Sequence, residues 1–322
     1  MNKDSKIYVA GHRGLVGSAL IRQLNSRGYH NLLLRTHAEL ELRDQAAVQA
    51  FFAAEQPEYV ILAAAKVGGI HANNTYPADF IYDNLAIQSN IIHSAWLHNV
   101  ERLLFLGSSC IYPKECLQPM KEEYFLTGPL ESTNRPYAVA KIAGVEMCHA
   151  YNRQYGTKYI AAMPTNLYGQ NDNYDLKVSH VLPALMRKIH ESKQKGESEV
   201  AVWGTGRPKR EFLYSDDMAD ACLYLLEQTE SQLSELFNDD YPPLVNIGCG
   251  EDLTIRELAE VIAEIVGYRG KFVFDSSKPD GTMQKLMDVA RLKSLGWVAS
   301  TELRDGVRMA YQFYLQNTQQ KL

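Results

Sequence analysis

The strand-like run Ile7-Tyr8-Val9-Ala10 leads straight into Gly11-His12-Arg13-Gly14-Leu15-Val16-Gly17, and an amphipathic helical pattern follows from Leu15 to Gly28. A strand that enters three glycines at this spacing and leaves as a helix is compatible with few folds. Gly11 permits a tight turn, Gly14 lets backbone amides approach a phosphate, and Gly17 lets helix and sheet pack closely. The helix N-terminus then turns its orphan N–H groups and the positive end of its dipole toward an anion. The spacing alone is common. Its place between the first strand and the first helix makes it a dinucleotide-binding turn.

The same rhythm continues. Leu32-Leu33-Leu34 reads as a second strand, Asp44 to Glu55 as a helix with Asp44 as its cap, and Tyr59 to Ala65 as a third strand. Pro77 to Asn99 predicts a long helix, Leu103 to Leu106 a fourth strand, Pro136 to Tyr155 a helix closed by Gly156, and Tyr159 to Met163 a further strand. Continuous apolar strands separated by helices predict a parallel sheet buried on both faces and doubly wound by right-handed crossovers. Beyond Asn166 the rhythm breaks, with helices expected over Ser179 to Ser192, Thr254 to Gly267 and Thr301 to Gln316. The expected fold class is therefore α/β, a Rossmann-type sheet with a smaller C-terminal α/β substrate-binding domain. With 322 residues, the division falls at 1–165 for the nucleotide-binding domain and 166–322 for the second. A segment near Glu211 to Glu227 is a candidate to return to the first domain.

Composition narrows the partners. A net charge of −5 argues against a nucleic-acid binder, so a phosphate-bearing ligand must be held by a few placed cations. Met1 to Ser5 does not read as a signal peptide, and no apolar run approaches the ~20 residues of a membrane span. The five cysteines (Cys110, Cys116, Cys148, Cys222 and Cys249) are odd in number and form no CxxC pair, which predicts a reduced, cytoplasmic chain with no disulfide framework and no metal site.

Cofactor preference is read one strand after the glycine turn. An acid at the end of the second strand marks an NAD-preferring site. Here Arg35 stands there, and Arg13 in the turn is placed to reach the same point. Two arginines and no acid point to the 2′-phosphate of NADP. The bland alternative is two solvated surface arginines.

Tyr137 and Lys141 lie four residues apart, on one face of a helix. An ammonium beside the phenol is expected to lower the tyrosine from its usual pKa of about 10. Ser108 ends the fourth strand and would face the same cleft, so serine and tyrosine can donate to one oxygen that gains negative charge. Cys110 follows two residues later; a free cysteine is ordinarily a small buried hydrophobe, yet its thiol can shuttle a proton if the site favours thiolate. His180 begins a helix, where the dipole disfavours imidazolium. A capping histidine is the alternative. Lys188 and Arg210 could neutralise a diphosphate, and Trp203 could cover a base or sugar face.

The glycine turn, Ser108 and the Tyr137–Lys141 pair together resemble the short-chain dehydrogenase/reductase superfamily, in its extended sugar-nucleotide branch. Further runs resemble the GDP-4-keto-6-deoxy-D-mannose 3,5-epimerase-4-reductases over essentially the whole chain. They are Ala63 to Ile70, Gly107 to Pro113, Pro164 to Gly169, Ser179 to Pro183, Trp203 to Gly206, Arg210 to Leu213 and Lys278 to Gly281. The resemblance implies an NADPH-dependent enzyme that converts GDP-4-keto-6-deoxy-D-mannose to GDP-L-fucose. It implies Cys110 and His180 as base and acid at carbons 3 and 5, with Ser108, Tyr137 and Lys141 serving reduction at carbon 4. It implies cofactor contacts from Gly11, His12, Arg13, Gly14, Leu15, Val16, Gly17, Arg35, Ala64, Lys141, Pro164, Asn166, Leu167 and His180. GDP-sugar contacts would come from Ser108, Asn166, Lys188, Trp203, Arg210 and Asp280. A homodimer would form by pairing the Pro77–Asn99 and Pro136–Tyr155 helices into a four-helix bundle. Gln170-Asn171, where members often have proline, and the loop Tyr174 to Lys177 depart from the pattern and bear on the local pocket wall.

The chemistry is economical. A ketone at carbon 4 acidifies the protons on both neighbouring carbons, and either enolate places its oxygen where the same donors wait. Two other readings remain at this stage. A redox-neutral 4-epimerase or 4,6-dehydratase would use the same scaffold, although dehydratases of the superfamily resemble one another in an Asp-Glu pair where this chain has Ser109-Cys110. A non-enzymatic NADP sensor needs the glycine turn and has no use for Ser108, Tyr137 and Lys141 together.

Overall fold

The computed structural model describes residues 1–176, 178–278 and 280–319; Lys177, in the departing loop, and Pro279, in the Lys278 to Gly281 run, lie outside the described residues. The first part of the chain runs β1 (Ile7–Ala10), α1 (Leu15–Ser26), β2 (Leu32–Leu33), α2 (Gln45–Glu55), β3 (Tyr59–Leu62) and a short α3 (Ile70–Thr75). It continues through α4 (Pro77–Leu97), β4 (Arg102–Leu106), α5 (Arg135–Tyr155) and β5 (Tyr159–Pro164). Next come β6 (Asn166–Tyr168), α6 (Val181–Lys195), β7 (Glu199–Trp203), β8 (Lys209–Tyr214), α7 (Ser215–Glu227) and β9 (Leu244–Ile247). The chain closes with β10 (Asp252–Thr254), α8 (Ile255–Val266), β11 (Lys271–Asp275), β12 (Gln284–Lys285), α9 (Ala290–Ser294) and α10 (Leu303–Gln319).

Six strands form one parallel sheet in the order β2-β1-β3-β4-β5-β9. Side chains alternate across it. Ile7, Val9, Ile61, Leu104 and Ile160 join the core shared with α1 and α7, whereas Tyr8, Val60, Leu62, Leu103 and Phe105 join the core shared with α2, α4 and α5. Both faces are covered, which is why these strands are apolar throughout. α7 lies against α1, tied by Arg22 to Asp216 at 2.6 Å and by Arg27 to Glu227 at 2.6 Å.

Element ends follow local chemistry. Asp44 caps α2, accepting from the Ala47 N–H at 3.1 Å. β3 stops at Leu62, short of the expected Ala65; the Ala63 N–H makes a last ladder bond to the Ala10 carbonyl at 3.0 Å, and beyond it Ala64 packs against Gly11 of the glycine turn. α4 stops at Leu97, and Asn99 adopts the left-handed region at φ 54°. α6 starts at Val181 rather than Ser179, with His180 as its extended N-cap.

The smaller assembly centres on β8, antiparallel to β10 and parallel to β6 and β12, while β7 pairs with β11. α6, α8 and α10 close a core of Leu185, Ile189, Phe212, Leu258, Ile262 and Val307. Glu211 on β8 is fully buried, and its carboxylate accepts from the Gly250 N–H at 2.7 Å and the Met287 N–H at 2.9 Å. One side chain thereby ties β8 to the turn after β9 and to the segment after β12. Among the described residues no helix is long and apolar enough to cross a membrane.

Candidate active site

The glycine turn lies at the carboxyl end of β1. Gly11 has φ 85°, a region that L side chains rarely adopt, and a Cβ there would sit 2.7 Å from the Ala64 nitrogen. A Cβ on Gly17 would lie 2.0 Å from the Gly11 carbonyl oxygen, so α1 packs directly on the turn. Gly14 is the N-cap of α1 and supplies no side-chain cap. This cradle fits a pyrophosphate at the positive end of α1. Ala64, Pro164 at the end of β5, and Asn166 and Leu167 on β6 stand at the same carboxyl edge of the strands. Asn166 commits its amide nitrogen to the Glu211 carbonyl at 2.9 Å.

Arg35 follows β2 with no acid at that strand end, as expected, and Arg13 shares its surroundings, but two carboxylates from other segments approach the pair. Arg35 pairs with Glu55 of α2 at 2.6 Å. Glu39, held by the Thr36 N–H at 2.7 Å and the Thr36 hydroxyl at 2.8 Å, acts on both arginines. The turn after β2 and the end of α2 bring in these carboxylates, which no spacing in the sequence reveals. His12 sits beside Arg13, and burial together with that charge pushes its imidazole down.

The catalytic candidates meet at the carboxyl end of β4. Ser108 is extended and caps a short 3-10 turn over Ser109–Ile111, its hydroxyl accepting from the Cys110 N–H at 3.4 Å. Ser108 also hydrogen-bonds the Tyr137 side chain. Cys110 is buried, which pushes its thiol up; the Ser108 hydrogen bond and the Lys285 and Lys141 charges act in the opposite sense. α5 packs tightly on β4 because residue 144 is glycine: a Cβ there would meet the Phe105 ring at 2.3 Å. That approach carries Lys141 beneath the strand end, where its ammonium donates to the Leu106 carbonyl at 2.7 Å and lies 4.7 Å from the Phe105 ring centre.

The predicted lowering of the Tyr137 pKa by Lys141 is not found. Enclosure of the phenol pushes Tyr137 well above its ordinary value, Cys110 adds to the rise, and Ser108 only partly offsets it. Lys141 stands 5.8 Å from the ring centre and is itself lowered to about 8 by burial. Desolvation outweighs charge proximity here. The result is a protonated tyrosine, the form a proton donor requires.

The backbone that carries His180 is linked to the Tyr137 surroundings by a chain of contacts between distant segments. Phe80 of α4 stands edge-on to Tyr137 at 6.2 Å. A Cβ on Gly68 would touch Phe80 at 3.2 Å, and the next residue, Gly69, donates its N–H to the Val178 carbonyl at 3.1 Å. The loop that carries His180 therefore rests on the turn that abuts Phe80. Surrounding protein atoms push the imidazole below its ordinary value. Among the described residues, Asn73 Oδ1, Asn134 Oδ1 and Ser179 Oγ are buried without partners.

The substrate candidates gather on the smaller assembly. Lys188 Nζ lies 5.2 Å from the centre of the Trp203 ring, which is 58% exposed. Next to Trp203, Thr205 donates its N–H and its hydroxyl to Asp280 at 2.7 and 2.8 Å. Arg210 and Asp280 act on one another electrostatically, and burial pushes the guanidinium down. Sequence reasoning missed Phe80 and Lys285. Lys285 lies in register with Arg210 across the parallel β12–β8 pair and lines a small cavity with Cys110. Strand pairing between distant segments leaves no local signal.

Comparison with known proteins agrees with this geometry. Residues 7–248 match the NAD dependent epimerase/dehydratase family. The chain is 58% identical to putative GDP-L-fucose synthase 2 of Arabidopsis thaliana, covering 100% of this chain and 95% of the relative. It is 55% identical to GDP-L-fucose synthase of Escherichia coli K12, covering 97% of each. A solved GDP-mannoheptose C4 reductase of Campylobacter jejuni with NADP bound superposes with a TM-score of 0.88, at 43% identity, covering 98% of this chain and 99% of that one. Its glycine turn, Ser108, Tyr137 and Lys141 thus sit on a fold and a sequence shared from end to end with such enzymes, and the chain belongs to the NAD dependent epimerase/dehydratase family and, within it, to the GDP-L-fucose synthases.

Proposed function

We propose that this chain converts GDP-4-keto-6-deoxy-D-mannose to GDP-L-fucose, as a 3,5-epimerase and NADPH-dependent 4-reductase. The observation that carries the reading is the meeting of Ser108, Cys110, Tyr137 and Lys141 at one buried strand end, in a chain more than half identical to GDP-L-fucose synthases.

Gly11 to Gly17 would hold the cofactor pyrophosphate at α1, with Arg13 and Arg35 at the 2′-phosphate and Ala64, Pro164 and Leu167 along its length. When bound, NADPH supplies the hydride for carbon 4. Cys110 removes the proton from carbon 3 or 5, and the electron pair of that C–H bond becomes an enolate whose oxygen meets Ser108 and Tyr137. His180, on the other side of the sugar, returns a proton to the opposite face. Burial keeps Tyr137 protonated, so it delivers its proton to the carbon-4 oxygen as charge builds there. Lys141 holds the cofactor ribose and restrains the reacting end. Lys188 and Arg210 neutralise the diphosphate, Trp203 covers a planar face, and Asn166 and Asp280 orient the remainder.

In this reading residues 1–165 hold the cofactor and 166–322 the sugar nucleotide, with α7 and β9 returning to the first part. The outer faces of α4 and α5, which expose Tyr82, Leu97, Val139 and Tyr155, pair with a second copy in a four-helix bundle; sedimentation of a Tyr82→Glu, Val139→Glu chain as the same species as wild type would remove that part. Five free cysteines suit a cytoplasmic enzyme. The test of the reaction is product analysis by NMR with NADPH in heavy water. The reading expects deuterium at carbons 3 and 5 with one NADPH consumed per product. Reduction without deuterium uptake would leave a 4-reductase alone, and sugar interconversion without NADPH consumption would leave a redox-neutral epimerase.

A further inference from the structure

Among the side chains at the end of β4, Cys110 is asked to act in a form that its surroundings oppose. It is 6% exposed, and a buried thiol stays inert unless a cation faces it. Lys141 is already engaged by the Leu106 carbonyl at 2.7 Å. The other cation that acts on Cys110 is Lys285. It lines a small cavity together with Cys110, Ser109, Tyr112, Lys114 and Glu131.

Among the described residues no carboxylate forms an ion pair with Lys285, and Glu131 acts on it only at longer range. Register partners on adjacent strands point to the same face, so Arg210 and Lys285 stand side by side, and like charges so placed repel. Asp280 answers Arg210. Glu131 reaches Lys285 only across the cavity, being paired with Lys114 at 3.1 Å. Of the two ammonium groups that act on Cys110, Lys285 acts more strongly than Lys141.

We infer that Lys285 is a positioning residue for epimerisation, whose ammonium faces Cys110 across this cavity and stabilises the thiolate that takes the carbon-bound proton. The inference rests on Cys110 being that base. In the step the proton passes to Sγ, and the negative charge moves from sulfur to the enolate oxygen held by Ser108 and Tyr137, while Lys285 keeps its charge. The groups facing the thiol are Ser108, Tyr137, Lys141 and Lys285; those facing Lys285 are Cys110, Cys116, Glu131 and Arg210. Burial pushes the thiol up and the ammonium down, and the charge of each favours the charged form of the other.

The measurement is the ultraviolet thiolate absorbance of the full chain against pH, taken as the difference between each protein and its Cys110→Ser partner. An opposite charge at close range lowers such a pKa by about 1 to 3 units, so Lys285→Met raises the Cys110 midpoint by at least about one unit, or about tenfold less thiolate at a given pH. Lys285→Arg keeps the midpoint low. Deuterium uptake at carbons 3 and 5 falls in Lys285→Met, with KM for the GDP-sugar little changed. An unmoved midpoint overturns the inference, and a raised KM with an unmoved midpoint makes Lys285 a diphosphate ligand instead. Where Lys285→Met does not fold, a raised midpoint in Lys285→Arg overturns it equally. Undiminished deuterium uptake in Cys110→Ser would sink the base role alone and leave the titration result standing.

Discussion

Lys141 Nζ donates to the Leu106 carbonyl at 2.7 Å and stands 5.8 Å from the centre of the Tyr137 ring. The lysine of the Tyr-Lys pair is therefore anchored to the end of β4 rather than charging the phenol directly. Its burial sets its pKa at about 8, and that of Tyr137 well above the ordinary phenol value. Within the working pH range it is the lysine that titrates.

An alkaline limb follows. Below about pH 8 Lys141 carries its proton and can hold an anionic or hydroxylic partner; above it the charge is lost. We expect kcat/KM for NADPH-dependent reduction to fall through a limb near pH 8, since that ratio reports the free enzyme's groups. Lys141→Arg moves the limb to higher pH in whatever activity remains. A limb that stays in place belongs to another group.

Tyr137→Phe removes the proton donor and leaves Ser108 to meet the enolate oxygen. The expected loss in reduction is about 10²- to 10⁴-fold in kcat, the usual range for a positioned acid. Deuterium exchange at carbons 3 and 5 should suffer less. NADPH absorbance and NMR on the same samples separate the two, and equal losses would contradict the division of labour.

Arg35→Ala should raise KM for NADPH by about tenfold or more and leave KM for NADH nearly unchanged, because a charged hydrogen bond contributes about 1.5–3 kcal/mol. Glu55, freed from Arg35, would then face the same spot and oppose a phosphate. Equal effects on both cofactors would show that Arg35 serves packing on α2 instead.

Glu211→Ala tests the smaller assembly. The substitution strips two buried backbone N–H donors, those of Gly250 and Met287, of their acceptor. We expect a loss of about 3 kcal/mol in urea unfolding, with Glu211→Gln costing less because it keeps one acceptor oxygen. A midpoint unchanged by Glu211→Ala would mean that the segment around Lys285 is held by other contacts.

Spacing along the chain made the glycine turn, the alternation of apolar strands with helices, and the shared helix face of Tyr137 and Lys141 legible. Each depends on residues a few positions apart, where the 2.0 and 3.6 periods of strand and helix act directly. Asp44 as a cap was legible for the same reason. The ends of β3 and α6 were not, because the chain leaves its regular geometry there to meet the glycine turn and the Gly69 loop.

Charge and burial were settled by contacts between distant segments. No local pattern places Glu39 and Glu55 against Arg35, seats Lys141 under Leu106, or sets Lys285 beside Arg210 and on one cavity with Cys110. Residue order thus carries which groups the chain owns and which secondary structure holds them. Their protonation states depend on how much water the assembled fold excludes and which cation it leaves nearby, and those come from sheet register and helix packing across the whole molecule.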